Sequence, residues 1–178
     1  WIGLFASYVI LGITMSILPL HLREAVGFTE SRIGLLLLFR ALCSTLGFIV
    51  LARVSFWHFN SRMMILTQTL IAALAACMVL ARGFTGWFLV LCLFGVLFSL
   101  SYNNSLFHGL SGSPRRSARM AVHEGLLTAG MVAGSALGGL LYQGGRFDRV
   151  ILFACTVAAC AAAAQGVFGG IAGSFSRK

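Results

Sequence analysis

Acid is the scarcest thing in this chain. Its 178 residues hold four carboxylates, Glu24, Glu30, Glu124 and Asp148, and none falls at the middle of an apolar run. A carboxylate buried in hydrocarbon is the usual proton carrier of a membrane protein, so none of the four is a compelling one. Lysine occurs once, at Lys178, against twelve arginines. The formal net charge is +9, but the basic residues fall mostly in short gaps between apolar runs with no interleaved aromatics, which argues against a nucleic-acid partner. No two of the five cysteines (Cys43, Cys77, Cys92, Cys155, Cys160) form a CxxC pair, and all lie in apolar runs. That argues against a disulfide framework and a metal centre and favours small packing residues. Nothing implies a cofactor. The chain starts at Trp1, already inside an apolar segment with no basic region or cleavage site before it, and it reads as a fragment whose upstream part is missing.

What is abundant is apolar surface. Hydrophobic residues make up 59% and charged residues 10%, with a mean hydropathy of +0.95, which places the chain in a membrane with lipid as its surroundings. A spanning helix needs about 20 predominantly apolar residues. Six segments meet that length: 1–20, 33–52, 63–81, 87–110, 120–142 and 150–172. The runs are too long, and too far from period two, for strands. Short gaps punctuated by Gly, Pro, Ser and Arg separate them. The expectation is one all-α integral membrane domain of six transmembrane helices.

With six spans both ends lie on one side. Arg53, Arg62, Arg115, Arg116, Arg119, Arg177 and Lys178 share that side, against Arg23, Arg32, Arg82, Arg146 and Arg149 on the other. The excess places both termini in the cytoplasm, with a bacterial inner membrane as the expected location.

Helical periodicity sorts the spans. Ser7, Thr14 and His21 form one stripe on the first. Arg40 shares a face of the second with Cys43, Ser44 and Gly47. The fourth carries Ser101, Asn104, Ser105 and His108 in register, with Tyr102 and Asn103 beside them. The fifth carries Glu124, Thr128 and Ser135 on one side and Gly130, Gly134 and Gly138 on another. The third and sixth hold few polar residues and read as supports facing lipid. Four polar-faced helices imply mutual pairing or a shared wet cavity, because an unpaired polar group in hydrocarbon is costly. Arg40 cannot shed its charge and requires a carboxylate, several carbonyls or an anionic ligand. Glu124 lies near the start of its helix, where a carboxylate is favoured, with Arg115, Arg116 and Arg119 close in sequence. The glycines at 130, 134 and 138 repeat GxxxG, a pattern for close helix packing.

One motif points elsewhere. Residues 109–112 read GLSG, as in intramembrane serine proteases of the rhomboid type. Such an enzyme needs a histidine base on a later helix. The only histidine after Ser111 is His123, just across the same loop, so no enzymatic activity is expected.

In order and spacing, ILPLHLREAVGFTESRIGLLLLFRAL, LARVSFWHFNSRMMIL, FGVLFSLSYNNSLFHGLSGSPRRSARMAVHE and EGLLTAGMVAGSALGGLLY resemble the seventh to eleventh helices of a major facilitator superfamily transporter. The resemblance covers essentially the whole chain and implies the C-terminal six-helix half, a 3+3 inverted repeat. It implies that the first and fourth helices line a cavity, the second and fifth meet the other half, and the third and sixth stand outside. Where the family's loop motif has a Gly, an Asp and a basic pair, this chain has Ala52, Phe56 and Arg62, so only the basic end remains. The implied activity is secondary active transport of a small solute by alternating access, including proton-coupled efflux. Its cavity residues would be Ser7, Thr14, Arg40, Tyr102, Asn103, Asn104 and His108, its loop contacts Arg62, Arg119 and Glu124, and its partners membrane lipid and a missing N-terminal half. A non-transporting membrane scaffold, or a half-length transporter that homodimerises, is the alternative.

Overall fold

The computed structural model of the chain describes residues 1–58 and 60–175, with side chains described for all but 61 and 168–175. Arg177 and Lys178, counted above toward the basic face, lie outside the described residues. Six α-helices follow one another: α1 (Ile2–Glu24), α2 (Glu30–Leu51), α3 (Ser61–Cys77), α4 (Gly83–Leu110), α5 (Arg116–Leu141) and α6 (Phe147–Phe175). No strand occurs among the described residues. Five helices, all but α3, are long and apolar enough to cross a membrane, and this marks the chain as an integral membrane protein.

The third helix is the correction to six equal spans. Expected over 63–81, it ends at Cys77. Beyond that point Met78, Val79, Leu80 and Ala81 each donate an amide to the carbonyl three residues back. Seventeen residues of α-helix extend about 25 Å. The tighter turn rises about 2 Å per residue and recovers most of the missing length.

Local chemistry sets the ends. Thr29 Oγ1 accepts from the Arg32 amide at 3.5 Å ahead of α2, and Asn60 Oδ1 from the Arg62 amide at 3.1 Å ahead of α3, side-chain caps on otherwise orphaned donors. Between α5 and α6 the chain turns through Gly144 and Gly145, both at φ 72°, a backbone state open to glycine at little cost. Arg146 then donates from Nε and Nη2 to Asp148 at 3.1 and 2.9 Å. These hydrogen bonds raise the guanidinium pKa above its usual value. Arg23 pairs with Glu24 and Glu30 at 3.9 and 3.6 Å. All these ion pairs are exposed and add little stability.

Successive helices run in opposite directions. Gly3 near the start of α1 meets Gln68 in the first half of α3 and Gln165 late in α6. At the other end of α1, His21 stacks on Phe147 (centroids 3.8 Å apart, 5° between planes) and sits edge-on to Trp87 and Tyr142. The main pairings are α1 with α5, α2 with α4 and α3 with α6. Glycine makes the first two possible. Gly12 abuts the Met131 carbonyl, Gly134 the Val9 carbonyl, Gly95 the Arg40 carbonyl and Gly47 the Ser99 side chain, each so closely that a β-carbon could not fit. Lipid tails are as apolar as Leu, so what holds such helices together is close packing and interhelical hydrogen bonds rather than exclusion of apolar surface from water.

The reading of α3 and α6 as lipid-facing supports needs correction as well. Thr67 and Gln68 are buried, at 1% and 2% exposure. Val150, Ala154, Ala158 and Ala161 form a buried stripe on α6, whose small side chains let α3 and α1 approach. These two helices each expose one face and contribute the other to the core.

Candidate functional site

The polar residues anticipated from sequence divide into three places. Inside the bundle, Ser7 and Ser101 share a 2.7 Å hydrogen bond across α1 and α4. Gln68 reaches in from α3, and its Nε2 donates to the Gly3 carbonyl at 2.8 Å, Ser7 Oγ at 3.0 Å and Ser101 Oγ at 3.5 Å. Asn104 and Ser105 are buried beside them. Gln165 joins from α6: with its amide turned to suit its neighbours, it accepts from the Gly3 amide at 3.2 Å and donates to the Met64 carbonyl at 3.1 Å. Thr14, 2% exposed, donates back to the Ile10 carbonyl at 2.8 Å, the local bond that makes a hydroxyl tolerable in an apolar helix.

The second place is an open cleft of about 340 Å³ lined by Trp57, Asn103, Leu106, Phe107, Leu110, Ser111 and Arg116. Asn103 lies here, donating from Nδ2 to the Ser99 carbonyl at 2.8 Å. His58 stacks on Phe107 (4.1 Å, 11°) at one side. His108 donates from Nδ1 to the Asn104 carbonyl at 2.9 Å.

The third place draws one long polar side chain from each of four helices. Tyr8 of α1 lies within electrostatic reach of Arg40 on α2, Tyr102 on α4 and Glu124 on α5. The Tyr102 hydroxyl donates to Glu124 Oε1 at 3.3 Å. His123 Nδ1 approaches the same oxygen at 3.3 Å. A carboxylate only accepts, so Nδ1 carries the proton of that bond. The His123 ring is fully buried and sits edge-on to Tyr102 at 5.1 Å, while Phe48 covers Tyr102 at 5.5 Å. Tyr8, Arg40 and Tyr102 are half-buried and Glu124 is exposed, so the cluster forms a surface face of the bundle. Arg40 has no ion pair among the described residues, and its Nε is buried without an acceptor.

Of the cavity residues expected from sequence, the structure therefore brings Arg40 and Tyr102 to one face. Ser7, Thr14 and Asn104 lie inside the bundle, and Asn103 in the separate cleft. Glu124 does not meet the arginines near it in sequence: Arg119 Nη1 donates to the Gly109 carbonyl at 3.0 Å, and Glu124 belongs with Tyr102 and His123. Arg62 is exposed at the start of α3, where its amide is capped by Asn60. The three glycines of the α5 stripe lie against α1, Gly130 at the Phe5 carbonyl, Gly134 at the Val9 carbonyl and Gly138 at Ile13 and Ile17. Ser111 follows the end of α4, and His123 bonds to Glu124.

Tyr8, His123, Gln68 and Gln165 belong to these clusters and are not among the site residues expected from the sequence. Tyr8 sits one position off the Ser7 stripe in an apolar run, where its hydroxyl, the polar handle of an otherwise apolar ring, was the available signal. From sequence, His123 stands out only as the one histidine that follows Ser111. Gln68 and Gln165 are amides in the two helices that read from sequence as facing lipid.

No protein-family model, curated protein or solved structure matches the chain.

Proposed function

We propose that the chain is a six-helix half of a secondary active transporter, the C-terminal half of a major facilitator superfamily permease, and that a small solute binds on the Tyr8, Arg40, Tyr102 and Glu124 face where a second half packs. One observation carries the reading. Tyr8, Arg40, Tyr102 and Glu124 bring long polar side chains from four helices to a surface that lipid could not solvate, and Arg40 has no ion pair among the described residues. A cation facing hydrocarbon costs about 2.5 to 3.5 kcal/mol even on insertion scales, so the face belongs to water, a solute or protein.

The packing supports a 3+3 repeat. Exchanging α1 with α4, α2 with α5 and α3 with α6 maps the main pairings onto themselves. Register follows too. Gly12 rests on the Met131 carbonyl as Gly95 rests on that of Arg40, and two turns further along the partner helices Gly138 meets Ile13 as Gly47 meets Val96. Alternating access then consists of one half rocking against the other around this face. Both termini of the chain are cytoplasmic in this reading, and a bacterial inner membrane is its setting.

Accessibility tests the proposal without knowledge of the substrate. In the full-length protein with the five cysteines of this chain replaced, single cysteines at Tyr8 and Tyr102 are challenged with a membrane-impermeant maleimide from each side. A cavity that opens alternately gives labelling from both sides. Absence of labelling from either side places the face in lipid or in a static interface and defeats the transport reading.

A further inference from the structure

Beside Ser101 lies a small, partly open pocket of about 10 Å³, whose lining includes Leu4, Gln68, Ser101, Asn104 and Ser105. Four polar atoms there are shut off from solvent and have no hydrogen-bond partner among the described residues: Gln68 Oε1, Asn104 Nδ2, Asn104 Oδ1 and Ser105 Oγ. The residues that carry them are 2%, 2% and 4% exposed, taking Gln68, Asn104 and Ser105 in turn. Orphaned amides and hydroxyls in a membrane interior are costly enough that native structures supply a partner.

We infer that this pocket is a binding site for one ordered water molecule, bridging Gln68 of α3 to Asn104 and Ser105 of α4. The volume agrees, since one water needs at least about 10 to 15 Å³. The chemistry agrees more strongly. Gln68 Oε1 and Asn104 Oδ1 accept, Asn104 Nδ2 donates, and Ser105 does either; water can satisfy both kinds at once. A monovalent cation would suit the oxygens but stand against the Asn104 amide hydrogens, and no carboxylate lines the pocket to balance its charge. The bridge also has a place in the architecture. It backs the Ser7, Ser101 and Gln68 cluster that fixes α1 against α4, and the next residues on those helices are Tyr8 and Tyr102. The inference holds whether or not the protein transports anything.

Radiolytic footprinting of the full-length protein in H₂¹⁸O tests it. Leu4 lines the pocket and is 1% exposed, so ¹⁸O reaches its side chain only from water held inside. Leu36, fully buried elsewhere in the core, is the control. Labelling of Leu4 but not Leu36 is expected, with loss of that labelling when Asn104→Leu and Ser105→Ala are combined. Labelling no greater than that of Leu36, or labelling that survives the double substitution, overturns the water site. Should the variant fail to fold, an experimental density map decides instead: a peak within hydrogen-bond reach of Gln68 Oε1 and Ser105 Oγ supports the site, and an empty pocket overturns it. Thermal stability of the native protein is expected to be equal in sodium, potassium and choline chloride; stabilisation specific to one metal cation would assign the pocket to that ion.

Discussion

Ser7 and Ser101 turn into the bundle, while Tyr8 and Tyr102, one residue further along the same two helices, turn out of it. A single residue rotates a side chain by about 100°, enough to move it from a packed seam to an open face. The two faces use different chemistry. Inside, the bonds of Ser7, Ser101 and Gln68 cross between helices and satisfy one another. Outside, the polar atoms sit at the tips of long side chains with apolar bodies, and Arg40 has no ion pair among the described residues. Polarity within a membrane helix therefore has two meanings, cohesion and availability, and direction around the helix tells them apart.

Substitutions can break that comparison, and the largest effects belong to the seams. Gly134→Val pushes a branched side chain into the Val9 carbonyl, and overpacking costs typically about 1 to 3 kcal/mol, with the upper end expected against rigid backbone. The expected outcome is loss of monodisperse protein on heating in detergent. Gly125→Val, at a position with open space around it, should leave the melting temperature nearly unchanged. Equal effects at the two sites would mean that the α1 to α5 seam is not in direct backbone contact.

Next comes the inner cluster. Gln68→Leu removes the donor shared by the Gly3 carbonyl, Ser7 and Ser101, and polar contacts between membrane helices are each worth about 0.6 kcal/mol, reaching about 1.7 kcal/mol. A destabilisation of about 1 kcal/mol is expected in a bicelle unfolding titration. Thr69→Leu, exposed and bonded only to its own helix, should cost less than half of that. The ordering reverses if Gln68 faces lipid after all.

The outer face should give the smallest changes in stability. Tyr102→Phe removes one exposed hydrogen bond to Glu124, and Arg40→Gln removes a charge that no carboxylate of the described residues balances, so each should fall within about 0.5 kcal/mol of the native protein. A drop of several kcal/mol for Arg40→Gln would show that its counter-charge lies in an adjoining protein segment and would make the arginine structural.

Much of the helical architecture is legible in the sequence. Apolar length and short polar gaps locate all six helices to within a few residues, because hydrocarbon thickness imposes a length that propensity alone does not. The exception, α3, finishes with a tighter turn over 78–81 that hydropathy does not register. Helix faces are legible too, since Gly130, Gly134 and Gly138 mark a stripe made for contact. Which helix fills the stripe is not, because every neighbour in a bundle is equally apolar. The site is harder for the same reason. Glu124 looks like a partner for Arg119 when only sequence distance is available, yet it bonds to Tyr102 on α4. Gln68 looks isolated on α3, yet its partners are at the start of α1 and on α4. Polar residues in membrane helices are satisfied across the bundle, and a single sequence carries no signal for which crossing brings them together.

Arg40 lends its backbone carbonyl to the contact with Gly95, so the residue that carries the charge is itself part of the joint between α2 and α4. No side chain lies between the two helices there to yield. The guanidinium thus swings like the arm of a crane bolted to bedrock: its reach is set by its own methylenes, and any larger excursion has to carry both helices with it.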